Sequence, residues 1–465
     1  KVPDCFKIAA IIPLLKKIFL DPEILKNLRP VSTLPFVSKT LERVAGKRFQ
    51  EHKTLNNLIE KMQSAYLEGR STETALLRIQ NDVLRAIDAK ECVFLILLDM
   101  SAAFDTVDHG TLLKRLSDRL GVKDNALEWI SSYLYNRKQF VVVNGTRSSE
   151  HTLDCNVPQG SVLGPGLFGD YGSPVGSIFR KHGIQSHLYA DDTQVYVSFP
   201  LQKETEVREK LELCLQEVRL WMAQNYLKLN DDKTDFIILG SKANIARVAT
   251  NHVTIGDAQV QPADSVKNIG ACLDKHMKLE KQVNVTCRNA WHNLYQLRKI
   301  EVLNTGTTSV SCAGIRYLQV GPKKWSTDWF SQATDRKVQN AAAKLIHWIK
   351  RFDHVQAPLK ELHWLPIQQR IDFKILLICY KCLYKNGLEY LRELLVDYAP
   401  CRTLRSSSSN LLVVPKTNMK SYGDRAFSVA APRLWNSLPN SIKDCDTIAS
   451  FKKALKTHFF RIAHV

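Results

Sequence analysis

The run Cys92-Val-Phe-Leu-Ile-Leu-Leu98 is apolar at every position and stops abruptly at Asp99. It has the length of a strand and fits one buried on both faces, inside a sheet with a covering layer on each side. A second acidic site, Asp191-Asp192, lies between His187–Ala190 and Thr193–Phe199. In the latter run Val195, Val197 and Phe199 alternate with Gln194, Tyr196 and Ser198, so two strands joined at an Asp-Asp turn is the simplest reading. Both sites put carboxylates at the edge of an apolar strand, where an unpaired charge is costly. A hard divalent cation such as Mg²⁺ resolves that cost. Taken singly, Asp99 also reads as a helix cap and Asp191-Asp192 as an exposed turn.

Charge narrows the partners. The 465 residues carry 65 Lys+Arg against 46 Asp+Glu, a formal net charge of +19. An excess of this size points to an anionic partner, for which nucleic acid is the first choice. A membrane surface is the rival, but there is no clear amphipathic anchor or lipidation signal and no apolar stretch long enough to span a bilayer. Eleven cysteines without repeated spacing argue for a reducing compartment, hence an intracellular protein of nucleus or cytoplasm that is not secreted. Cys379 and Cys382 have metal-like spacing but sit in the apolar run Ile375–Tyr380 and its continuation, which reads as a helix core. The start at Lys1-Val-Pro reads as a fragment.

Along the chain, Thr72–Ile87 has helical periodicity, with Ser71 or Thr72 as its cap. Leu112–Leu120 and the amphipathic stretch Glu204–Asn225 are helical; the latter carries Val207, Leu211, Leu215, Val218 and Met222 on one stripe. Gln139–Val143 followed by Asn144-Gly145 signals a hairpin. Val157–Pro165 is a structured loop and Phe236–Leu239 a short strand. Beyond residue 275 the pattern is mainly helical, clearest over Gln339–Ile349, Arg370–Tyr384 and Ser450–Phe460. Ser406–Ser409 reads as a linker, and Asn304–Trp325 is rich in Gly, Ser and Thr.

Three blocks decide between the readings of the aspartates: Phe94-Leu-Ile-Leu-Leu-Asp-Met-Ser-Ala-Ala-Phe-Asp-Thr-Val-Asp-His109, Pro158-Gln-Gly-Ser-Val-Leu-Gly-Pro165 and Tyr189-Ala-Asp-Asp192. In this order and spacing they resemble the palm motifs of reverse transcriptases. Leu28–Glu42 and Gln63–Ala75 resemble the fingers blocks of LINE-type (non-LTR) retrotransposons. Leu227-Lys-Leu-Asn-Asp-Asp-Lys-Thr-Asp235 resembles the block after the palm helix, and Val266–Gly270 the hairpin that grips the primer. Leu362–Ile367 and Ala431–Asn436 resemble stretches of Jockey-related elements in animals.

The resemblance implies an α+β right-hand polymerase: fingers and a palm with an antiparallel sheet over 1–274, a thumb-like helical region over 275–345, and a mainly helical C-terminal region over 346–465. It implies RNA-directed DNA polymerase activity with two Mg²⁺ ions, Mn²⁺ being an alternative, and with an RNA template, a DNA primer and dNTPs as partners. In the two-metal scheme one ion activates the primer 3′-hydroxyl and the second, about 3.5–4 Å away, stabilises the departing pyrophosphate. By similarity Asp99 and Asp191 are the principal metal ligands, Asp192 the third carboxylate, and Lys233 a proton donor to pyrophosphate. Phe104 matches the ring that blocks a sugar 2′-hydroxyl, Gln159 and Gly160 the loop against the nucleotide and template, and Arg70, with Arg29, the basic positions near the triphosphate. Lys278, Lys281, Arg288, Arg298 and Lys299 would act on the primer–template backbone. Each has a plainer reading as a core Phe, an ordinary turn or a solvated charge.

The chain also departs from the pattern. Gly166, Gly169 and Gly172 fall in an expected helix, at about 1 kcal/mol each relative to Ala, and the stretch from Val302 to Asp335 matches nothing in the family. No endonuclease block and no Cys/His knuckle is visible. A catalytically dead or domesticated copy that only binds nucleic acid is the alternative these departures raise.

Overall fold

The computed structural model describes all residues except 18, 102–103, 304–331, 351, 385–387, 400–409 and 465. Most of the Val302–Asp335 stretch, the Asn304–Trp325 run, the Ser406–Ser409 linker and Ala102-Ala103 of the first palm block therefore lie outside, wholly or nearly so.

Cys92–Leu98 is a strand buried at every position. It lies in a four-stranded antiparallel sheet ordered Asp235–Leu239, Cys92–Leu98, Asp192–Phe199, Gln185–Tyr189. Alternation explains why no polar residue is tolerated along it. Phe94, Ile96 and Leu98 enter one core with Leu211, Leu215 and Val218 of the helix Glu204–Gln224. Val93, Leu95 and Leu97 enter a second core with Ile79, Val83 and Ile87 of the helix Thr72–Asp88. Burying a side chain of this kind is worth about 1.5–3 kcal/mol, so a one-residue slip that exchanged the two faces would disturb both cores together. The helix Thr72–Asp88 starts at a capping box in which Ser71 and Thr74 exchange side-chain-to-backbone bonds.

A second sheet stands beside this layer. Ile8–Leu15 pairs antiparallel with Leu28–Thr33 and parallel with Arg137–Val143, and the expected hairpin at Asn144-Gly145 turns Arg137–Val143 back into Thr146–Arg147. The long helix Phe36–Leu55 follows the Leu28–Thr33 strand. The glycine-rich stretch does form its helix, Gly164–Gly172, because Leu167, Phe168 and Tyr171 are buried on one face and supply what the glycines lack. The three glycines thus leave the supporting helix in place.

The C-terminal helices Ile367–Tyr384, Phe427–Asn436 and Ile448–His464 surround a third core that includes Tyr380, Trp435, Phe451 and Leu455. Cys379 and Cys382 lie in that core, and burial pushes both thiols up, Cys382 to about 12. Among the described residues no helix is long and apolar enough to cross a membrane. The architecture is α+β.

Candidate active site

Register alone brings the acidic residues together. Leu98 lies opposite Thr193 and the two strands run antiparallel, so Asp99 emerges opposite Asp192. Tyr189 pairs with Asp192, which leaves Ala190-Asp191 as the turn between the strands. Ala190 takes φ 58°, a conformation in which a Cβ is strained. A one-residue difference in strand length at either end would separate the carboxylates.

Their charges are felt in their proton affinities. Burial, then the Asp191 and Asp99 charges, push the Asp192 carboxyl up to about 6, with Lys233 opposing. Burial and Asp99 also raise Asp191, against its own backbone amide, Arg29 and Lys233. A folded-state carboxyl titrating above its ordinary range means the folded chain holds more protons there than the unfolded one, so stability falls as pH rises through that window. In chelator, Asp192→Asn is therefore expected to melt above the parent near about pH 8, the gap closing as pH falls below about 4. Equal melting at both pH values would show that Asp192 is not under this strain.

Asp99 has two direct partners. Its Oδ2 accepts from Lys233 Nζ at 3.1 Å and from Asn230 Nδ2 at 3.2 Å, and its carbonyl accepts from the Asn230 amide at 2.9 Å. A two-residue pairing, Lys228–Leu229 against Met100–Ser101, delivers this segment. Lys233 therefore turns to Asp99, while Asp231 is occupied by Arg219 at 2.7 Å. Arg29, exposed on the Leu28–Thr33 strand, lies near enough for its charge to hold Asp191 down.

The other residues flank this centre. Phe104 is half-buried with its ring stacked on Phe168 at 4.8 Å. The Gln159 carbonyl accepts from the Ser32 amide at 2.9 Å. Gly160, at φ +119°, packs so closely on that strand that a Cβ would stand 2.5 Å from the Ser32 carbonyl oxygen. Gly160→Ala is expected to cost about 1–3 kcal/mol, read as a lowered melting midpoint; an unchanged midpoint would refute the close approach. Arg70 is tied to its own loop and to the C-terminal region. Its Nη1 donates to the carbonyls of Glu60, Lys61 and Gln63, and its guanidinium lies 5.2 Å from the Tyr390 ring. In this arrangement it braces the 60–70 loop.

Three further residues were not singled out in the sequence. Glu42, 1% exposed, accepts from the amides of Val162 and Leu163 at 2.6 and 3.0 Å and so clamps the loop that carries Gln159 and Gly160. Tyr66, at φ 59°, has its phenol raised by burial and by the charges of Asp191, Tyr189 and Asp192. Asn230 orients Asp99. Their only sequence signal is membership of the blocks Leu28–Glu42, Gln63–Ala75 and Leu227–Asp235.

The donor set suits a hard divalent cation: carboxylate oxygens that repel one another at the end of a buried strand. Among the described residues, no group of three or more His, Cys, Asp or Glu side chains is arranged as a ready-made metal site. The fit therefore rests on the shared location and mutual repulsion of Asp99, Asp191 and Asp192.

The chain is similar to the probable RNA-directed DNA polymerase from transposon BS of Drosophila melanogaster, 28% identical over 301 residues, or 64% of this chain and 32% of that protein. It is also similar to the RNA-directed DNA polymerase from mobile element jockey of Drosophila funebris, 28% identical over 289 residues, 60% of this chain and 30% of that one. The chain thus spans about a third of the length of these relatives. Among solved structures it is similar to telomerase from Candida albicans in complex with a TWJ fragment of telomeric RNA, at 11% identity and TM-score 0.44, covering 75% of this chain and 67% of that one. Residues 16–273, more than half of the chain, match the family described as reverse transcriptase (RNA-dependent DNA polymerase), and the chain belongs to that family.

Proposed function

We propose that this chain is the polymerase portion of a non-LTR retrotransposon protein and extends a DNA primer on an RNA template with dNTPs. The observation that carries the reading is the register that sets Asp99 opposite Asp192, with Asp191 in the adjoining turn. The regions 1–274, 275–345 and 346–465 serve as fingers and palm, thumb and C-terminal region of an intracellular enzyme.

Asp99 and Asp191, with Asp192 as third carboxylate, would hold two Mg²⁺ ions, which supply activation of the primer hydroxyl and neutralisation of the triphosphate. The primer 3′-hydroxyl loses its proton to water as its oxygen forms a bond to the α-phosphorus, the α–β phosphoanhydride bond breaks, and pyrophosphate leaves with its electron pair. Lys233 is the chain's proton source for that leaving group, within reach because it already pairs with Asp99 at 3.1 Å. Arg29, whose charge acts on Asp191, is better placed than Arg70 to meet the triphosphate. Phe104, fixed against Phe168, would reject a 2′-hydroxyl. Gln159 and Gly160, held by Glu42 and Ser32, would seat the nucleotide and template.

The test is primer extension on an RNA template with dNTPs and Mg²⁺, beside the same reaction in chelator. Metal-dependent extension is the expected result. A folded chain that binds RNA but extends no primer in Mg²⁺ or Mn²⁺ would leave only the silent, binding copy.

A further inference from the structure

The helix Thr72–Asp88 has two faces of different character. Ile79, Val83 and Ile87 support the central sheet, and Leu76 and Leu77 join the core of the C-terminal region. The helix's polar residues at 74, 78, 81, 85 and 88, spaced by three and four and so aligned on one side, all meet the C-terminal region. Thr74 Oγ1 accepts from the Tyr390 hydroxyl at 2.7 Å; Arg78 contacts the Tyr390 carbonyl and Glu393. Asn81 Oδ1 accepts from the Ser428 amide at 2.8 Å, Arg85 donates to the Lys416 carbonyl at 3.2 Å, and Asp88 accepts from the amides of Asn418 and Met419 at 2.9 and 2.7 Å.

One of these contacts continues into the catalytic hairpin. Tyr390 is fully buried, and its hydroxyl also accepts from Ser64 Oγ at 3.0 Å. Ser64 Oγ lies 2.8 Å from Nε2 of His187, itself fully buried on the strand Gln185–Tyr189 that leads into Ala190-Asp191. Residues 62–64 cover the open edge of that strand: the Leu188 amide donates to the Met62 carbonyl at 2.8 Å and the Ser64 amide to the Leu188 carbonyl at 2.9 Å. Burial and the charges of Arg70 and Arg78 hold His187 neutral, pushing its pKa to about 3. One consistent arrangement of protons runs through the chain. His187 Nε2–H donates to Ser64, Ser64 to Tyr390, Tyr390 to Thr74, and Thr74 Oγ1 to the Ser71 carbonyl at 3.0 Å. In this ordering every hydroxyl both donates and accepts, while among the described residues His187 Nδ1 has no hydrogen-bond partner.

We propose that Tyr390 of the C-terminal region is a positioning residue for the polymerase site: through Ser64 and His187 it fixes the strand that presents Asp191 and Asp192, so the C-terminal region is part of the catalytic core. The inference rests on the polymerase reading for its kinetic consequence only; the mechanical link from Tyr390 to the hairpin stands on the contacts themselves. Deleting this hydroxyl removes the tie that holds the hairpin, and misplacement near 1 Å costs on the order of 10²-fold in rate.

The experiment compares Tyr390→Phe, Ser64→Ala, the double variant and Arg85→Ala in the full chain. Expected are a fall in turnover of roughly tenfold for Tyr390→Phe, with the KM for dNTP changed by less than about twofold, and a double variant no worse than the singles, as for members of one chain. Arg85→Ala, which loosens the same interface elsewhere, should lower the melting midpoint and leave turnover alone. Hydrogen exchange at the Leu188 amide should quicken in Tyr390→Phe and not in Arg85→Ala. Parental turnover and parental Leu188 exchange in Tyr390→Phe would overturn the proposal, as would equal loss of turnover in Arg85→Ala. If the parent chain extends no primer, the exchange measurement decides the link alone, so loss of the polymerase reading and loss of this one are told apart.

Discussion

Replacing Asp191 and Asp192 together by alanine is expected to lower primer extension by at least about 10³-fold while the chain keeps its fold and its RNA affinity. The size follows from what the carboxylates hold. Charge stabilisation by bound metal is worth several kcal/mol, and each ~1.4 kcal/mol is a factor of ten. Retained folding follows from the electrostatics: both carboxyls are raised by burial and by their acidic neighbours, so removing them relieves repulsion, and the double variant should melt no lower than the parent in chelator. RNA affinity draws on the basic surface of a chain with a net charge of +19 and should persist. Extension that survives the double substitution would place the chemistry elsewhere.

Lys53→Met is expected to carry the largest loss of stability, about 3–5 kcal/mol. Lys53, on the helix Phe36–Leu55, reaches Asp170 on the helix Gly164–Gly172 with Nζ 3.0 and 2.9 Å from its two carboxylate oxygens, and the side chains are 5% and 14% exposed. Burial keeps the Asp170 carboxyl raised even with Lys53 beside it, so the attraction does not recover the whole desolvation cost. Removing the cation alone strands a buried carboxylate, which then binds a proton more readily still, and the defect should shrink as pH falls. Replacing both residues, as Lys53→Met with Asp170→Leu, should restore most of the stability. A double variant as unstable as the single one would show that packing, not charge, holds the two helices together.

Much of this was legible in the residues because the signals were local. Seven apolar residues ending at Asp99 specify a buried strand and its end, and alternation in Thr193–Phe199 sets its neighbour, so the meeting of Asp99 with Asp192 needs only antiparallel register. Ser71 capping Thr72–Asp88 and the stripe of Glu204–Gln224 were readable for the same reason. Helix ends were less so: Gln339–Ile349 is in fact Gln332–Ile346, and Arg370–Tyr384 begins at Ile367. What sequence could not show was long-range polar pairing. Nothing beside Arg70 marks it as a brace for carbonyls, nothing near Glu42 announces the loop 120 residues on, and the partners of Asn81 and Asp88 lie at the far end of the chain. The polar stripe at 74, 78, 81, 85 and 88 was visible, but it reads as solvated until a covering surface is known.

That stripe has a consequence for how the chain is made. Asn81 leaves the ribosome 347 residues before Ser428, its partner, a delay of about 17–70 s at roughly 5–20 residues per second. Once the strands of the central sheet have been made, Ile79, Val83 and Ile87 can bury on them while Thr74, Arg78, Asn81, Arg85 and Asp88 wait in water. The waiting side joins hydroxyl, amide and charge to Leu76 and Leu77, which enter the C-terminal core, so the polar stripe limits the adhesive surface that the unfinished protein offers to neighbouring nascent chains. One helix thus meets the sheet through Ile79, Val83 and Ile87 first, and the C-terminal region, through Leu76, Leu77 and the polar stripe, only when the last residues have been translated.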